Sequence, residues 1–313
     1  MTLEEFGYSD WFANQIDLKT EVDLTVARVT AIHKGECEVS DGKETNAAKM
    51  TGRMRHQAKS KLDYPTVGDW VLVKDFADEN FGRIHRVLDR QSTLKRKSSG
   101  KTSRSQLIAA NIDTAFIMQT VGLGYNLKRL ERYLVMVNET GIEPVVLLSK
   151  SDLLKPEELA VKVIEVEERM PGVRIFAFSN VDKAGLETVM ALFESEKTYC
   201  VIGTSGVGKT SLLNNLLGEE DHLFTLPVRE SDGKGVHSTT WRELITLENG
   251  AHVVDTPGMR ELGNMDVNEG IEETFDDIHA LAGHCKFNDC SHVKTKGCAV
   301  IAAVERGEIA QSR

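Results

Sequence analysis

No stretch of the sequence approaches the roughly 18 consecutive apolar residues that a membrane-spanning helix requires. The acidic start, MTLEEFGYSDWFANQ, also lacks the basic segment and the apolar core of a secretory signal peptide. These two absences argue against a membrane partner and predict a cytoplasmic protein. The apolar fraction of 41% is ordinary for a folded chain, which we expect to be a monomer.

Cysteine is scarce, with five in 313 residues, yet three of the five lie within a short C-terminal segment. That crowding suits a metal site in a reducing compartment better than a disulfide framework. The spacing Cys285-x4-Cys290-x-His292-x5-Cys298 offers three thiolates and one imidazole, which predicts a closed, tetrahedral, structural Zn²⁺ site. The alternative is a set of free thiols in a small core.

The chain has fewer basic than acidic residues, with 38 Lys and Arg and 48 Asp and Glu. The net charge of −10 argues weakly against a nucleic-acid partner, but residues 45–105 carry a local net charge of +8. Such clustering suits RNA phosphates, although a solvated basic face explains it equally well. The basic runs are Lys49, Arg53, Arg55, Lys59 and Lys61, and then Arg83, Arg86, Arg90, Lys95, Arg96, Lys97, Lys101 and Arg104. Aromatic candidates for base stacking are Tyr64, Trp70, Phe76 and Phe81.

The pattern of apolar residues divides the chain into segments. Residues 20–105 contain several short β-like runs between turn signals, which predicts a small barrel of the size of oligonucleotide-binding barrels. The stretch Arg90–Arg104 is predicted to be a linker. From Asp113 onward, apolar strands alternate with helical patterns, which predicts a parallel sheet with crossover helices. From about Val267 the pattern is helical.

A phosphate-binding loop is the most specific motif of the chain. The run Gly203-Thr204-Ser205-Gly206-Val207-Gly208-Lys209-Thr210 fits G-x-x-x-x-G-K-[ST], and Ser211 follows in the predicted helix. Its glycines let backbone N–H groups surround the β-phosphate, and the helix N-terminus adds partial positive charge. Lys209 is the candidate for the β- and γ-phosphates, and Thr210 for Mg²⁺. A chance glycine-rich turn is the alternative.

A second phosphate motif follows the loop. Asp255 and Gly258 form D-x-x-G at the end of an apolar strand, where Asp255 can hold Mg²⁺ through water and Gly258 can donate its N–H to the γ-phosphate. Between the two motifs lies ESDGKGVHSTT, which suits a switch whose Thr239 completes the Mg²⁺ shell. An ordinary surface loop is the alternative.

Guanine recognition requires an acceptor for N1–H and the 2-amino group, and one carboxylate meets both. Ser149-Lys150-Ser151-Asp152 supplies Asp152 at the end of an apolar strand, with the Lys150 stem along the base. Ser179 ends the next predicted strand, at the position of a contact to O6. Alone this motif is weak, and a solvated charged loop would explain it. Beside the phosphate motifs it predicts GTP as the nucleotide.

The order of these motifs indicates a circular permutation. GTPases usually begin with the phosphate loop and end with the base motifs. In this chain the base motif and Ser179 come first, followed by the phosphate loop, the switch and D-x-x-G. The segment after D-x-x-G therefore leads directly into the C-terminal domain, which we expect to respond to the nucleotide.

These residues together resemble the circularly permuted ribosome-assembly GTPases of the RsgA (YjeQ) family. The resemblance covers nearly the whole chain, including HSTT at 237–240, DTPGMREL at 255–262 and CKFNDCSHVKTKGC at 285–298. It implies a multidomain fold. The expected parts are an OB-type β-barrel at 1–105, a central α/β circularly permuted P-loop GTPase domain at 106–265 and a C-terminal helical zinc-binding domain at 266–313.

The resemblance also implies a function. The family's activity is hydrolysis of GTP to GDP and phosphate, slow alone and accelerated by the small ribosomal subunit. Both outer domains would bind rRNA late in assembly, and guanosine tetraphosphate would compete for the GTP site. The implied cofactors are Mg²⁺, with GTP, and structural Zn²⁺.

Some features depart from common GTPase patterns. Ser149 stands where Asn or Thr is usual, so we expect it to lose contacts to the base and to the phosphate loop and to weaken binding. Met259 stands where many GTPases place a water-orienting Gln, so His237 is the candidate to replace it, with a solvent-facing loop residue as the alternative. Similar proteins continue with further helix, so the end at Arg313 is expected to be shortened.

Two other functions are alternatives to the RNA-binding GTPase. One is a nucleotide-dependent switch with a protein partner and no RNA. The other is a metabolic P-loop kinase, which the placement of Asp152 and the permutation argue against.

Overall fold

A computed structural model describes the chain at residues 1–17, 19–33, 36–76, 81–97, 105–218, 242–255, 278, 281–287, 290, 292–293 and 295–309. All structural statements concern these residues. Of the predicted site, His237, Thr239 and Gly258 lie outside them, as does the side chain of Asp255.

The N-terminal part is a closed five-stranded barrel. Its strands follow the order β1-β2-β3-β5-β4, and β4 pairs back with β1 to close the ring. The β3–β5 pair is parallel and the other pairs are antiparallel. The strands are β1 (Thr25–Ile32), β2 (Cys37–Ser40), β3 (Thr45–Met50), β4 (Trp70–Lys74) and β5 (Gly82–Val87). This closed ring confirms the predicted OB-type barrel.

Two short helices and a 3-10 turn accompany the barrel. Helix α1 (Asp10–Ala13) buries Phe12, and α2 (Gly52–Gln57) is capped by Thr51, whose hydroxyl accepts a hydrogen bond from the N–H of Met54. The 3-10 turn Lys61–Asp63 follows α2. Neither α2 nor β3 was apparent from the sequence, since neither has strong apolar periodicity.

The prediction of a linker at Arg90–Arg104 was wrong for residues 93–97, while residues 98–104 lie outside the described part of the chain. Strands β6 (Thr93–Lys97) and β7 (Ser105–Ala110) pair antiparallel as a separate two-stranded sheet. Leu94 and Ile108 are buried and pack this two-stranded sheet onto the core. The many basic residues of the segment obscure this β pattern in the sequence.

The predicted parallel sheet is confirmed. Five strands run parallel in the order β10-β9-β8-β11-β13, and the antiparallel strand β12 lies beside β13. Each residue of β8 is buried, because helices cover both faces of such a sheet. The strands are β8 (Thr114–Thr120), β9 (Glu143–Ser149), β10 (Arg174–Phe178), β11 (Thr198–Ile202), β12 (Arg242–Thr246) and β13 (His252–Asp255). The helices are α3 (Leu127–Asn138), α4 (Pro156–Arg169), α5 (Leu186–Met190) and α6 (Lys209–Leu217).

The barrel and the parallel sheet share backbone hydrogen bonds. Barrel strand β1 pairs antiparallel with β12, with Ile32 opposite Arg242. One apolar core also spans both parts, since Phe6 and Trp70 belong to the same buried cluster as Ile117 and Val254. The two parts therefore form one packed body, and the boundary at residue 105 stays a prediction.

A buried arginine marks this junction. Arg28 of β1 is 1% exposed, and its guanidinium donates to the carbonyl oxygen of Phe6 at 2.7 Å and to that of Asn111 at 3.3 Å. It also packs against the ring of Trp70, 5.4 Å from the centroid. Burial lowers the pKa of Arg28 to about 10, so the group is charged at neutral pH.

The described C-terminal residues contain helix α7 (Ala299–Glu305). The helix ends where Gly307 adopts a left-handed φ of 75° and donates its N–H to the carbonyl of Val304. No helix in the described part of the chain combines the length and apolarity that a membrane crossing requires.

Candidate nucleotide site and metal centre

The predicted phosphate loop lies between β11 and α6, at the carboxyl edge of the parallel sheet. Gly206 and Gly208 have left-handed φ values of 80° and 99°, which other residues rarely adopt. A Cβ on Gly203 would lie 2.3 Å from the carbonyl oxygen of Met118. These glycines therefore permit a turn tight enough to aim backbone N–H groups inward.

The side chain of Lys209 folds back over this loop. Its ammonium donates hydrogen bonds of 2.8 Å to the carbonyl oxygens of both Gly203 and Thr204. Thr210 and Ser211 follow it in the first turn of α6, where the N–H groups of a helix carry partial positive charge. The loop thus gathers one full positive charge and a helix N-terminus at one point.

The expectation that Ser149 loses contact with the phosphate loop was wrong. Ser149 is fully buried at the end of β9, and its hydroxyl donates a hydrogen bond of 2.7 Å to the carbonyl oxygen of Val207. The parallel pairing of β9, β8 and β11 brings the strand end close enough for a short side chain to reach.

The two elements of the predicted guanine site touch each other. The hydroxyl of Ser179, which follows β10, donates a hydrogen bond of 2.6 Å to Oδ1 of Asp152. The N–H of Val181 donates to the same hydroxyl at 3.0 Å and fixes its orientation. Lys150 has a left-handed φ of 60°, which turns the chain sharply before Asp152. Ser179 therefore orients the carboxylate, and its contact to O6 stays a prediction.

One polar residue at this edge was missed from the sequence. The amide of Asn180 donates to the carbonyl oxygen of Gly208 at 3.2 Å and accepts from the amide of Asn215 at 2.9 Å. A single Asn in a loop matches no nucleotide motif, so only the proximity of the two loops reveals it.

Four predicted metal ligands converge in the C-terminal segment. The ligand atoms of Cys285, Cys290, His292 and Cys298 all lie within 4.8 Å of one another. The Sγ atoms of Cys285 and Cys298 are 3.8 Å apart, and Nδ1 of His292 lies 3.6 Å from Cys285 Sγ and 3.4 Å from Cys298 Sγ. Tetrahedral Zn²⁺ would separate two sulfurs by about 3.8 Å and a sulfur from a nitrogen by about 3.5 Å. The residues fit such an ion.

The surroundings act on the thiols of the cluster in two directions: backbone N–H groups favour thiolates, whereas burial raises the pKa of the Cys298 thiol. Backbone N–H groups of Ala299 and Ile301 point at the sulfurs of Cys285 and Cys298, at 3.3 and 3.4 Å. The backbone N–H of His292 lowers the pKa of the Cys290 thiol. The cluster could therefore hold a metal ion, which only deprotonated thiols bind.

The structure divides the basic residues of the barrel into two groups. Arg90 forms an ion pair with buried Asp69 at 2.7 Å, and Arg86 pairs with Glu21 at 2.8 Å, so both serve the fold. Other basic side chains of the first run are exposed on and after α2. They are Arg53, Arg55, Lys59 and Lys61.

Two of the four candidate stacking aromatics were assigned wrongly. Trp70 and Phe76 are 1% and 8% exposed and belong to the apolar cores. Phe81 is 39% exposed, and the ammonium of Lys49 lies 3.6 Å from its ring centroid. Of the four candidates, only the less buried Tyr64 and Phe81 remain candidates for stacking on bases.

Comparison with known proteins decides the family. A family model described as RsgA GTPase matches residues 87–265, more than half of the chain. The chain belongs to the RsgA GTPase family. It is accordingly a GTP-hydrolysing enzyme, in line with the motifs at the sheet edge.

Individual relatives extend the similarity over the whole of this chain. The chain is 39% identical to the small ribosomal subunit biogenesis GTPase RsgA 2 of Lactiplantibacillus plantarum, over 100% of this chain and 87% of that protein. The crystal structure of YjeQ from Thermotoga maritima matches with a TM-score of 0.68 and 29% identity, covering 93% of this chain and 94% of that one. The crystal structure of YloQ, a circularly permuted GTPase, matches with a TM-score of 0.63 and 26% identity, covering 95% of this chain and 93% of that one. The predicted permutation is thereby confirmed.

Proposed function

We propose that this GTPase acts as a late assembly factor of the small ribosomal subunit, binding its rRNA, and that the subunit accelerates its GTP hydrolysis. The supporting observation is the continuous sheet that joins the nucleotide edge to a barrel with an exposed basic surface. A relative named small ribosomal subunit biogenesis GTPase RsgA 2 is 39% identical over the whole chain.

The nucleotide would lie along the carboxyl edge of the sheet. Asp152 accepts from guanine N1–H and the 2-amino group, with Ser179 holding its carboxylate in place. Lys209 leaves the carbonyls of its own loop and binds the β- and γ-phosphates. The remaining nucleotide contacts are assigned to Ser149, Lys150, Gly203, Thr204, Ser205, Gly206, Val207, Gly208, Thr210, Ser211, Asp255 and Gly258.

Hydrolysis requires a positioned water and neutralised phosphate charge. Mg²⁺, held by Thr210 and Thr239, would supply that neutralisation. Met259 is apolar and cannot orient water, so His237 is assigned to this role. The residues His237, Lys209 and Thr239 form the proposed catalytic set.

The C-terminal cluster would hold one Zn²⁺ through Cys285, Cys290, His292 and Cys298. Its role is structural, because four protein ligands leave no open position for a substrate. The segment is too small to build an extensive apolar core, so the metal would stabilise its fold.

The proposed rRNA contact lies on the barrel. Arg53, Arg55, Lys59 and Lys61 are exposed near one another in sequence and suit backbone phosphates. The protein would act as a cytoplasmic monomer without a membrane partner, and its domains would be residues 1–105, 106–265 and 266–313.

The decisive experiment measures GTP hydrolysis by the chain alone, with purified small ribosomal subunits and with large subunits. Stimulation of at least tenfold by the small subunit only would support the proposal. The quadruple variant Arg53→Ala, Arg55→Ala, Lys59→Ala, Lys61→Ala should lose stimulation while its intrinsic rate stays unchanged.

Turnover with no stimulation by small subunits would contradict the ribosomal role. The function would then be a nucleotide-dependent switch with a protein partner. Subunit binding that does not weaken with rising salt would contradict the phosphate contacts, because release of counterions makes such binding steeply salt-dependent.

A further inference from the structure

Asn180 lies where the guanine loop meets the phosphate loop. It is the residue after Ser179, and its Nδ2 donates a hydrogen bond of 3.2 Å to the carbonyl oxygen of Gly208. The two residues are also packed closely, since a Cβ on Gly208 would lie 2.8 Å from that Nδ2. Asn180 thus contacts the last glycine of the phosphate loop directly.

The Asn180 side chain is itself held by a second amide. Its Oδ1 accepts a hydrogen bond of 2.9 Å from Nδ2 of Asn215 on helix α6. Oδ1 of Asn215 accepts in turn from the ammonium of Lys183 at 2.6 Å. This series of hydrogen bonds determines which end of each amide donates, because Lys183 can only donate. The Nδ2 of Asn180 is therefore directed at Gly208.

The hydrogen bond acts on a backbone group of the phosphate site. In a planar trans peptide, the carbonyl and the N–H of one unit point in opposite directions. The carbonyl of Gly208 and the N–H of Lys209 belong to one such unit. That carbonyl also accepts the first helical hydrogen bond of α6, from the N–H of Leu212 at 3.0 Å, so Asn180 is its second donor. The two donors together fix this peptide unit, and with it the direction of the Lys209 N–H, which is opposite to that of the carbonyl. Ser149 acts in the same way on the preceding unit through the carbonyl of Val207.

We propose that Asn180 is a positioning residue that orients the Lys209 N–H toward the β-phosphate and links that site to the guanine loop. This inference rests on the nucleotide site of the proposed function. Because Asn180 and Ser179 are adjacent, the loop that orients Asp152 also sets the geometry of the phosphate loop. Two side-chain hydrogen bonds, from Ser179 to Asp152 and from Asn180 to Gly208, then couple base recognition to β-phosphate binding.

The test compares GDP with GMP, which lacks the β-phosphate. Affinities of the full chain for both are measured by competition against a fluorescent guanine nucleotide. Asn180→Ala should weaken GDP binding about fivefold and leave GMP binding unchanged, the size expected for one hydrogen bond. Asn180→Asp should weaken GDP at least as much, because a carboxylate oxygen repels the carbonyl of Gly208.

A matched control is Asn249→Ala. Asn249 also uses both ends of its amide, donating to the carbonyl of Phe193 at 2.6 Å and accepting from the N–H of Ala251 at 3.1 Å, away from the nucleotide edge. It should leave the ratio of GDP to GMP affinity unchanged. Asn215→Ala should shift that ratio in the same direction as Asn180→Ala by a smaller factor.

Equal losses of GDP and GMP affinity in Asn180→Ala would overturn the inference, since they would indicate general damage to the site. Unchanged GDP affinity would overturn it as well. Failure of the unmodified chain to bind GDP would instead overturn the nucleotide site itself, so the two failures are distinguishable.

Discussion

The guanidinium of Arg28, in a barrel strand, donates a hydrogen bond of 2.7 Å to the hydroxyl of Thr198, the first residue of β11. The opposite end of β11 leads into the phosphate loop. A charged side chain of the barrel thus hydrogen-bonds the N-terminal end of the strand that leads into the phosphate loop.

Arg28→Ala is expected to lower the free energy of unfolding by about 3 kcal/mol. The change leaves buried carbonyls and the Thr198 hydroxyl without their donor, and it opens a cavity beside Trp70. Urea denaturation followed by tryptophan fluorescence measures this. Arg174→Ala is the control, because its ion pair with Glu143 is about half exposed on both sides and contributes within about 0.5 kcal/mol. Similar losses in both variants would refute a special role for Arg28.

His252 makes stability depend on pH. Burial, together with the nearby charge of Arg28, lowers its pKa to about 4, against about 6.5 in the unfolded chain. Between these values the unfolded chain binds more protons, so stability is full above pH 6.5 and falls as the pH drops toward 4, by up to about 3 kcal/mol. Unfolding curves from pH 7 to pH 4 measure the slope.

The matched variant for this pH dependence is His252→Phe. Its overall stability will differ, because Nε2 of His252 contacts the carbonyl of Glu5 at 3.1 Å and Nδ1 contacts the Thr246 hydroxyl at 3.0 Å. Its slope between pH 6.5 and 4 should nevertheless be flatter. An identical slope in both proteins would assign the titration to another group.

Asp152→Asn should reverse the preference for the base. The amide would place an NH₂ donor opposite the 2-amino group of guanine, which is also a donor. Xanthine has a carbonyl acceptor at that position instead. GTP affinity should fall by at least tenfold, and that for xanthosine triphosphate should rise. Ser179→Ala removes only the 2.6 Å hydrogen bond to the carboxylate and should weaken GTP severalfold without a gain for xanthosine triphosphate. Retained GTP preference in Asp152→Asn would place base recognition elsewhere.

The C-terminal cluster should bind one Zn²⁺ per chain. Cys290→Ser and His292→Ala should each lower the zinc content and make the C-terminal segment sensitive to protease. Cys37→Ala serves as the control, since Cys37 belongs to the barrel core and should leave zinc content unchanged. Elemental analysis of the purified chain measures the stoichiometry. A zinc-free chain whose C-terminal segment resists protease would rule out a structural metal.

Particular elements show why much of the fold was predictable. Strands β8, β9 and β11 are short, largely apolar runs, so buried parallel strands leave a clear pattern. The phosphate loop and the cysteine cluster are local motifs, in which chemistry requires fixed spacing. These parts depend on residues close together in the chain.

Other features depend on contacts between distant residues. Arg90 belongs to a basic run that suits RNA phosphates, yet it forms an ion pair with Asp69, because charge in the sequence does not reveal pairing. The contact of Ser149 with Val207 joins residues 58 positions apart, and that of Asn180 with Gly208 joins residues 28 apart. No local pattern specifies them.

The pairing of Ile32 with Arg242 has a mechanical consequence. A load applied to the barrel surface reaches β12 through strand hydrogen bonds and passes from there to β13 and β11. A flexible tether would dissipate such a load, whereas stiff strands transmit it. Whatever pulls on the barrel therefore pulls on the strands that end at the nucleotide site.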